Sequence, residues 1–425
     1  MNLFYHLGLW LYRLTARLIA PFYPKAALFS KGHAGLIARI RSRIDRDAPI
    51  VWFHCASLGE FEQGRPIMEA YRNQMPTHKI FLTFFSPSGY EIKKEDPVAD
   101  WIFYFPMDTC RNVRRFLNAV APCKVIFIKY EFWYNYLKAL KKRGIPTYIV
   151  SANFMDSQPF FAWYGAFFRR MLRTFTLLFV QNPESKALLS RIGFTNVVVA
   201  GDTRFDRVWA RAQSDCSLPV VDAFLHNQGQ EVNSGQEICV AGSTWPRDES
   251  LLCQALKAHP SLKLILVPHE VDAGHIGRIM EQFVDFCPVR YSQCSDTNNF
   301  LTASRVLVVD SIGLLSLLYR YGSMAYVGGG FEQGIHNTLE AAAYGVPVVF
   351  GPNYTKFNEA IDLIQLGGAH CVRSGQELMA CFDRWITDAQ ACREEGAICL
   401  RYVKEHTGAT QVVLQQLMNG VSMYQ

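Results

Sequence analysis

The sequence predicts an α/β protein of two doubly wound halves behind an amphipathic N-terminal segment, and three observations carry that reading. Short, nearly continuous apolar runs recur along 425 residues, with helical stretches between them. Runs of this kind, rather than alternating ones, belong to parallel strands covered on both faces. A polar, pattern-poor stretch at residues 212–236 interrupts the series once, in a chain longer than one core ordinarily organises. The expected divisions are residues 1–47, an amphipathic and basic segment; 48–211, a first doubly wound domain; 212–236, a linker; and 237–425, a second domain whose last helix is free to pack back on the first. Two such halves put a cleft between them, a common place for ligands.

In residues 1–47 the stretch MNLFYHLGLWLYRLTARLIAPFYP carries Asn2, His6, Arg13 and Arg17 at spacings of four and seven. That makes one polar stripe on a helix otherwise rich in Leu, Trp, Tyr and Phe. Two arginines interrupt a span that would need ~20 apolar residues, and no small-residue cleavage site follows. The expectation is a helix lying in a membrane interface, with Lys25, Lys31, Arg39, Arg41, Arg43 and Arg46 facing anionic lipid. A single tilted anchor and a helix packed on its own core are the alternatives. These residues hold eight Lys/Arg and two Asp, which account for the whole net charge of +6. The rest of the chain is neutral, so a nucleic-acid face spread over the fold is excluded. Half the residues are hydrophobic and 19% charged, the balance of a folded chain. Twelve scattered cysteines without a CxxC pair read as core residues of a reducing compartment.

In the first half the expected strands are Ile50–His54, Ile80–Phe85, Trp101–Phe105, Val125–Tyr130, Thr147–Ser151, Leu177–Gln181 and Val197–Ala200. The first ends in His54-Cys55-Ala56-Ser57-Leu58-Gly59-Glu60, where Ser57 and Gly59 suit a turn into a helix beginning near Phe61. Glu60 then stands at a strand's C-terminal end, placed either as a general base or as a first-turn complement to the helix dipole. Glu131, after the fourth strand, adds a second carboxylate to the same sheet edge. Arg204, in Gly201-Asp202-Thr203-Arg204-Phe205-Asp206, is placed to meet a developing negative charge.

In the second half the strands are Ile238–Gly242, Lys263–Pro268, Arg305–Asp310, Met324–Val327 and Pro347–Phe350. Their ends carry Ser243 and Thr244, Pro268 and His269, and Asp310-Ser311-Ile312-Gly313, so four polar strand ends converge on one edge. The fourth is the most informative: VGGGFEQGIHNTLEAAAYGVPVVFGP, residues 327–352, runs from strand through three glycines to His336-Asn337-Thr338-Leu339-Glu340 and an expected Ala-rich helix. Bare glycine backbone and a helix N-terminus favour a phosphorylated ligand; a tightly packed strand–helix turn is the alternative reading of the glycines. The spacing fits neither GxGxxG nor GxxxxGK[ST]. Asp45-Arg46-Asp47 has the spelling of a metal-holding DxD but lies in the basic segment, read as helix-surface charge, and a metal-free, cofactor-free protein is expected.

These residues resemble, in order and over the whole length, the 3-deoxy-D-manno-octulosonic acid (Kdo) transferases of lipid A biosynthesis. The matching pieces are the hydrophobic, basic N-terminus, His54-x-Ala-Ser-x-Gly-Glu60, Glu131-Phe132-Trp133, Asp202–Asp206, Gly242-Ser243-Thr244, Pro268-His269, Gly328–Glu340 and Phe350-Gly351-Pro352. The resemblance implies a GT-B fold: two Rossmann-like domains across a cleft, the first binding acceptor and the second donor. It implies inverting transfer of Kdo from CMP-Kdo to lipid IVA, releasing CMP, at the cytoplasmic face of a Gram-negative inner membrane. Glu60 matches the base that takes the acceptor's proton, with Ser57 and Gly59 beside it on the acceptor side. Glu131 and Arg204 match positions that stabilise the transition state. Ser243, Thr244, Pro268, His269, Ile312, Gly313, Leu314, His336, Asn337, Thr338, Leu339 and Glu340 fall in the CMP-Kdo site. Gly313-Leu314-Leu315 stands where many members have Gly-Glu-Leu, which removes a carboxylate contact to the nucleotide. Arg204 replaces a common Lys, keeping the charge but adding a planar fork. The competing readings are another GT-B enzyme using a UDP-sugar, as hexosyltransferase or epimerase, and a non-catalytic module binding anionic lipid.

Overall fold

The computed structural model of the chain describes residues 2–45, 47–225, 237–294 and 304–419. The chain forms two compact units, unit 1 from Met1–Arg207 with Thr407–Gln425 and unit 2 from Val208–His406.

Unit 1 is built on strands β1 (Ile50–Cys55), β2 (Lys79–Phe84), β3 (Trp101–Tyr104), β4 (Lys124–Ile128), β5 (Thr147–Ala152), β6 (Leu177–Val180) and β7 (Val197–Val199). They pair in parallel in the order β3-β2-β1-β4-β5-β6-β7. Because successive side chains point to opposite faces, the central strands feed two cores. Trp52, Phe81, Phe127 and Ile149 enter one, and Val51, Phe53, Leu82 and Ile126 the other. The register pairs His54 with Thr83 of β2 on one side and Phe127 of β4 on the other, which decides the chemistry of this edge.

Three helices precede the sheet: α1 (Asn2–Ile19), α2 (Pro24–His33) and α3 (Leu36–Arg43). One face of α1 is packed: the Tyr5 hydroxyl donates to buried Asp108 at 2.5 Å, and Tyr12 meets the Phe29 and Phe85 rings. Another face is open, with Phe4, Leu7, Trp10, Leu11, Leu14 and Leu18 exposed. Among the described residues no helix is long and apolar enough to cross a membrane. Asp45 and Asp47 fall beyond α3, not on a helix surface as expected, and the Asp47 amide donates to Asp45 Oδ1 at 3.1 Å in a turn.

Unit 2 repeats the plan with β8 (Ile238–Thr244), β9 (Lys263–Pro268), β10 (Val289–Arg290), β11 (Val306–Val308), β12 (Met324–Val327), β13 (Val348–Phe350) and β14 (Ala369–Cys371), in the parallel order β10-β11-β9-β8-β12-β13-β14. The sequence reading omits β10 and β14. Both are short, half-buried edge strands without an apolar run. The expected linker is also corrected in its described part. Pro219–Leu225 is a helix that buries Val221, Phe224 and Leu225, and Lys263 Nζ donates to Phe224 O at 2.6 Å. Residues 226–236 of that stretch lie outside the described residues.

The helix Ala409–Asn419 belongs to unit 1. Val413, Leu414 and Leu417 enter the second core beside Tyr71, and Asp206 accepts from the amides of Gly408 and Thr410 at 2.5 and 2.6 Å. Leu414→Ala is expected to destabilise unit 1 by about 2–5 kcal/mol, the range for emptying a buried Leu site. A denaturant unfolding curve of the full chain checks this, and an unchanged curve would mean the helix is not docked.

Candidate active site

At the C-terminal edge of the unit 1 sheet, β1 runs through Ser57 into the helix α4 (Leu58–Gln74), so Glu60 lies in its first turn. The helix starts three residues earlier than expected, and a Glu60 carboxylate oxygen accepts from the Ala56 amide. Taken alone, this is the helix-complementing role, which ordinarily holds a carboxyl below its usual range. Here the balance goes the other way. Burial first, and then the Glu131 carboxylate, push Glu60 up to about 8, although the Ala56 and Ser57 amides and the Lys129 ammonium act in the opposite sense. A carboxyl poised near 8 holds its proton at neutral pH and accepts one readily once ionised, the setting of a general base.

Glu131 owes its place to the register. His54 is wholly buried, with Nδ1 2.9 Å from Thr83 Oγ1 and Nε2 3.0 Å from Glu131 Oε2. Trp52 Nε1 donates to Thr83 Oγ1 at 2.8 Å, and Trp133 Nε1 to Glu131 Oε2 at 2.6 Å. An ionised carboxylate only accepts. With Glu131 ionised, Nε2 donates to it, while Nδ1 faces both the Thr83 hydroxyl and, at 3.1 Å, the Thr83 carbonyl. The His54 ring also stacks on Phe105 at 4.2 Å. This file of Trp52, Thr83, His54 and Trp133 fixes Glu131. Sequence reading places His54 on the strand and in the motif but gives it no role, because the role depends on a strand thirty residues away.

The Tyr130 hydroxyl, which donates to Asn153 O at 2.6 Å, is raised by burial and feels the charges of both Asp202 and Glu60. That brings Asp202-Thr203-Arg204 to the same edge, where Thr203 Oγ1 donates to Gln63 O at 2.6 Å. Arg204 is not an isolated cation: Nε donates to Asp202 Oδ2 at 2.8 Å and its amide to Oδ1 at 2.9 Å. Any charge it offers a reacting group is shared with Asp202. At Gly59 an added Cβ would meet open space, so packing does not demand the glycine.

The unit 2 sheet places β11, β9, β8 and β12 side by side, so the ends bearing Asp310, His269, Thr244 and Gly328 do lie along one edge. Ser243 adopts φ 54°, a left-handed conformation rare outside glycine. His269 stacks on Trp245 at 4.8 Å and on His336 at 4.5 Å, and Trp245 Nε1 donates to His336 Nε2 at 3.4 Å. Burial first, and then the His269 ring, hold His336 down to about 4, so it is a neutral acceptor at ordinary pH. Asn337 Nδ2 donates to Glu340 Oε1 at 3.1 Å, and the buried Thr338 Oγ1 has no hydrogen-bond partner. Ile312 is 88% exposed and Gly313 takes φ 92° before the turn Leu315–Leu318, leaving Leu314 no polar group to offer. Pro268 ends β9, paired with Thr244.

Two expectations about the glycine-rich segment are corrected. The helix expected from His336 begins at Leu339 and lasts four residues, Leu339–Ala342, before Gly345 turns the chain at φ 72°. So short a helix supplies little dipole. Nor are the first glycine amides bare. Gly328 N donates to Gly242 O at 2.9 Å and Gly329 N to Asp248 Oδ2 at 2.9 Å. A Cβ on Gly328 would stand 2.3 Å from Ser243 O, and one on Gly330 2.6 Å from the Gly351 backbone. These glycines serve close packing, and polar recognition passes to the rings and side chains around them. Elsewhere in unit 2, Glu270, Asp272 and His275 bring ligand atoms within 4.8 Å of one another, but Asp272 caps the helix Ala273–Gln282 and His275 Nε2 faces Glu249 Oε2 at 3.0 Å.

Two parallel sheets with helices between their strands define a GT-B protein, and a solved structure agrees: the UDP-GlcNAc 2-epimerase of Neisseria meningitidis superposes with a TM-score of 0.60 over 88% of this chain and 100% of its own, at 14% identity. Sequence narrows the class. Residues 32–207 match the 3-Deoxy-D-manno-octulosonic-acid transferase (kdotransferase) family. The 3-deoxy-D-manno-octulosonic acid transferase of Aquifex aeolicus is 27% identical over 326 residues, 75% of this chain and 80% of its own. That of Haemophilus influenzae is 25% identical over 378 residues, 86% of each chain. Over residues 32–207, and along most of its length, the chain is similar to glycosyltransferases of the Kdo transferase type.

Glu131→Gln is expected to lower the Glu60 midpoint from about 8 toward the ordinary carboxyl range without reaching it, because burial, the larger cause, stays. Carbon-detected NMR titration of the Glu60 carboxyl measures this. An unmoved midpoint would show that the two carboxylates are not coupled.

Proposed function

We propose that the chain transfers Kdo from CMP-Kdo to lipid IVA with inversion, releasing CMP, at the cytoplasmic face of an inner membrane and without a metal ion. The observation that carries this reading is the Glu60–Glu131 pair, in which burial and a like charge poise one carboxylate near 8 while the other is locked by His54 and Trp133. Glu60 takes the proton of the acceptor hydroxyl as the new C–O bond forms at the anomeric carbon. The bond from that carbon to the CMP phosphate oxygen breaks, and CMP leaves with the bonding pair. Glu131 and Arg204 stabilise the cationic sugar and the departing phosphate respectively. Ser57 and Gly59 admit the acceptor. In unit 2 the Trp245–His269–His336 stack, Asn337, Thr338 and Glu340 hold the nucleotide, with Ser243, Thr244, Pro268, Ile312, Gly313, Leu314 and Leu339 shaping the wall.

Mass spectrometry of lipid IVA after incubation with CMP-Kdo is expected to show a Kdo increment that is unchanged by EDTA and reduced at least about a hundredfold by Glu60→Gln, the upper part of the range for losing a general base. Below pH 8 the rate is expected to rise with pH as Glu60 ionises and to level off above it. An increment with UDP-sugars instead of CMP-Kdo would sink the donor assignment. A fully active Glu60→Gln would sink the mechanism.

The open apolar face of α1 supports attachment to an anionic membrane surface through residues 1–47. Trp10→Glu with Leu14→Glu leaves the Tyr5 and Tyr12 contacts in place. It is expected to lower vesicle binding in flotation at least about tenfold while transfer to detergent-dispersed acceptor holds. Unchanged flotation would place the membrane contact elsewhere.

A further inference from the structure

Beside the packed face of α1 lies a cavity of about 400 Å³, entirely within unit 1, walled by α1, the end of α2, the start of α3 and the segment after β3. Arg13 and Arg17, one helical turn apart on α1, stand on one wall and Arg115 on another. Not one Asp or Glu lines it. Among the described residues, no carboxylate or other acceptor pairs with any of these three guanidinium groups. The fourth arginine nearby, Arg39, is occupied, donating to the carbonyls of Gly32 and Ala34. Arg13 makes itself felt in the neighbouring ring: the His33 imidazole is held below its usual range by burial, and among the smaller causes by the Arg13 charge.

A second, independent feature points the same way. The cavity is lined by Gly35, Leu36, Ile37 and Ala38, the start of the eight-residue helix α3, whose cap position Gly35 provides no side-chain acceptor. The amides of Ala38 and Arg39 already donate to Gly35 O, but those of Leu36 and Ile37 precede the first intrahelical bond. Three uncompensated guanidinium groups and an uncapped helix start around one hollow attract a compact, multiply charged anion. Beside the polar Ser30, His33 and Asn112, the side chains of Phe29, Leu36, Ile37 and Met107 give the lining an apolar part that suits the carbon skeleton carrying the anion.

We propose that this cavity binds a phosphate monoester presented by a membrane lipid headgroup. A monoester is favoured because its second ionisation matches three cations better than a diester does. The lipid source rests on the reading that α1 lies at a membrane surface, since its open apolar face adjoins the arginine stripe. The volume exceeds that of phosphate alone and admits the glycerol or sugar that bears it. The site is separate from Glu60 and the transfer chemistry, so its failure and the failure of the transferase reading are distinguishable.

The test uses the full chain and water-soluble probes, and therefore needs neither a bilayer nor turnover. Isothermal calorimetry is run with dihexanoyl phosphatidic acid, a monoester, with dihexanoyl phosphatidylglycerol, its diester counterpart, both below their micellar concentrations, and with inorganic phosphate. The phosphatidic acid is expected to bind about tenfold more tightly than the other two. The double variant Arg13→Gln/Arg17→Gln and the single variant Arg115→Gln are each expected to lose about tenfold of that binding, the scale of one or two charge-assisted hydrogen bonds, with unchanged melting curves. Arg41→Gln/Arg43→Gln, on α3 outside the cavity, is the control. Equal affinity for monoester and diester would overturn the monoester assignment. Inorganic phosphate binding as tightly as the lipid would overturn the headgroup source. Equal loss in the control would replace the cavity with diffuse charge.

Discussion

Parallel pairing in a fixed register is what the two chemically interesting edges have in common, and most of their geometry follows from it. In unit 1, the backbone bonds that set His54 opposite Thr83 also bring the end of β4 beside it, so that Glu131 reaches a buried imidazole already tied on its far side. In unit 2, the pairing of Gly242 with Val327 forces Gly328 against Ser243 O, and the pairing of Thr244 with Pro268 delivers His269 to the Trp245 ring. A slip of one residue in either sheet would send each of these side chains to the opposite face. The site residues are therefore held by the most cooperative part of the fold, not by the loops that carry them.

Within that frame Glu60 illustrates how magnitude decides between two roles that share one geometry. A carboxylate in the first turn of α4 that accepts from the Ala56 amide is placed to complement the helix dipole. What sets Glu60 apart from an ordinary first-turn carboxylate is the surrounding medium. Low water access and a second carboxylate outweigh two amides and a lysine. In unit 2 the same reasoning moves His336 the other way, leaving a neutral ring in a stack of three aromatic groups.

Much of this is legible in the sequence because parallel strands buried on both faces write themselves as apolar runs, and their C-terminal ends are where polar residues then gather. Twelve strands and the positions of Glu60, Glu131, His269 and His336 follow from that pattern alone. The resemblance to the Kdo transferases rests on the same ordered pieces. What escapes it are effects of pairing at a distance. The short turn at Leu339–Ala342 is read as a longer helix because Ala-rich composition is visible and the glycine that ends it is easily passed over. The inward amides of Gly328 and Gly329 need the neighbouring strand and Asp248 to be seen. The role of His54 needs Thr83. The helix at Pro219–Leu225 hides inside a polar stretch because only three of its residues bury.

The hydrogen bond from Tyr5 to Asp108 has a consequence for encounter geometry. Asp108 is buried and also accepts from the amides of Asn135 and Tyr136 at 2.9 Å, so the anchor point is rigid, and it fixes the rotation of α1 about its own axis. The exposed apolar ridge of Leu7, Trp10, Leu11, Leu14 and Leu18 is thereby aimed in one direction relative to the sheet of unit 1. Any planar apolar surface that captures the ridge captures this unit in a set orientation. The rotational entropy of that alignment is given up during folding, when Tyr5 docks, and is not charged again at each landing.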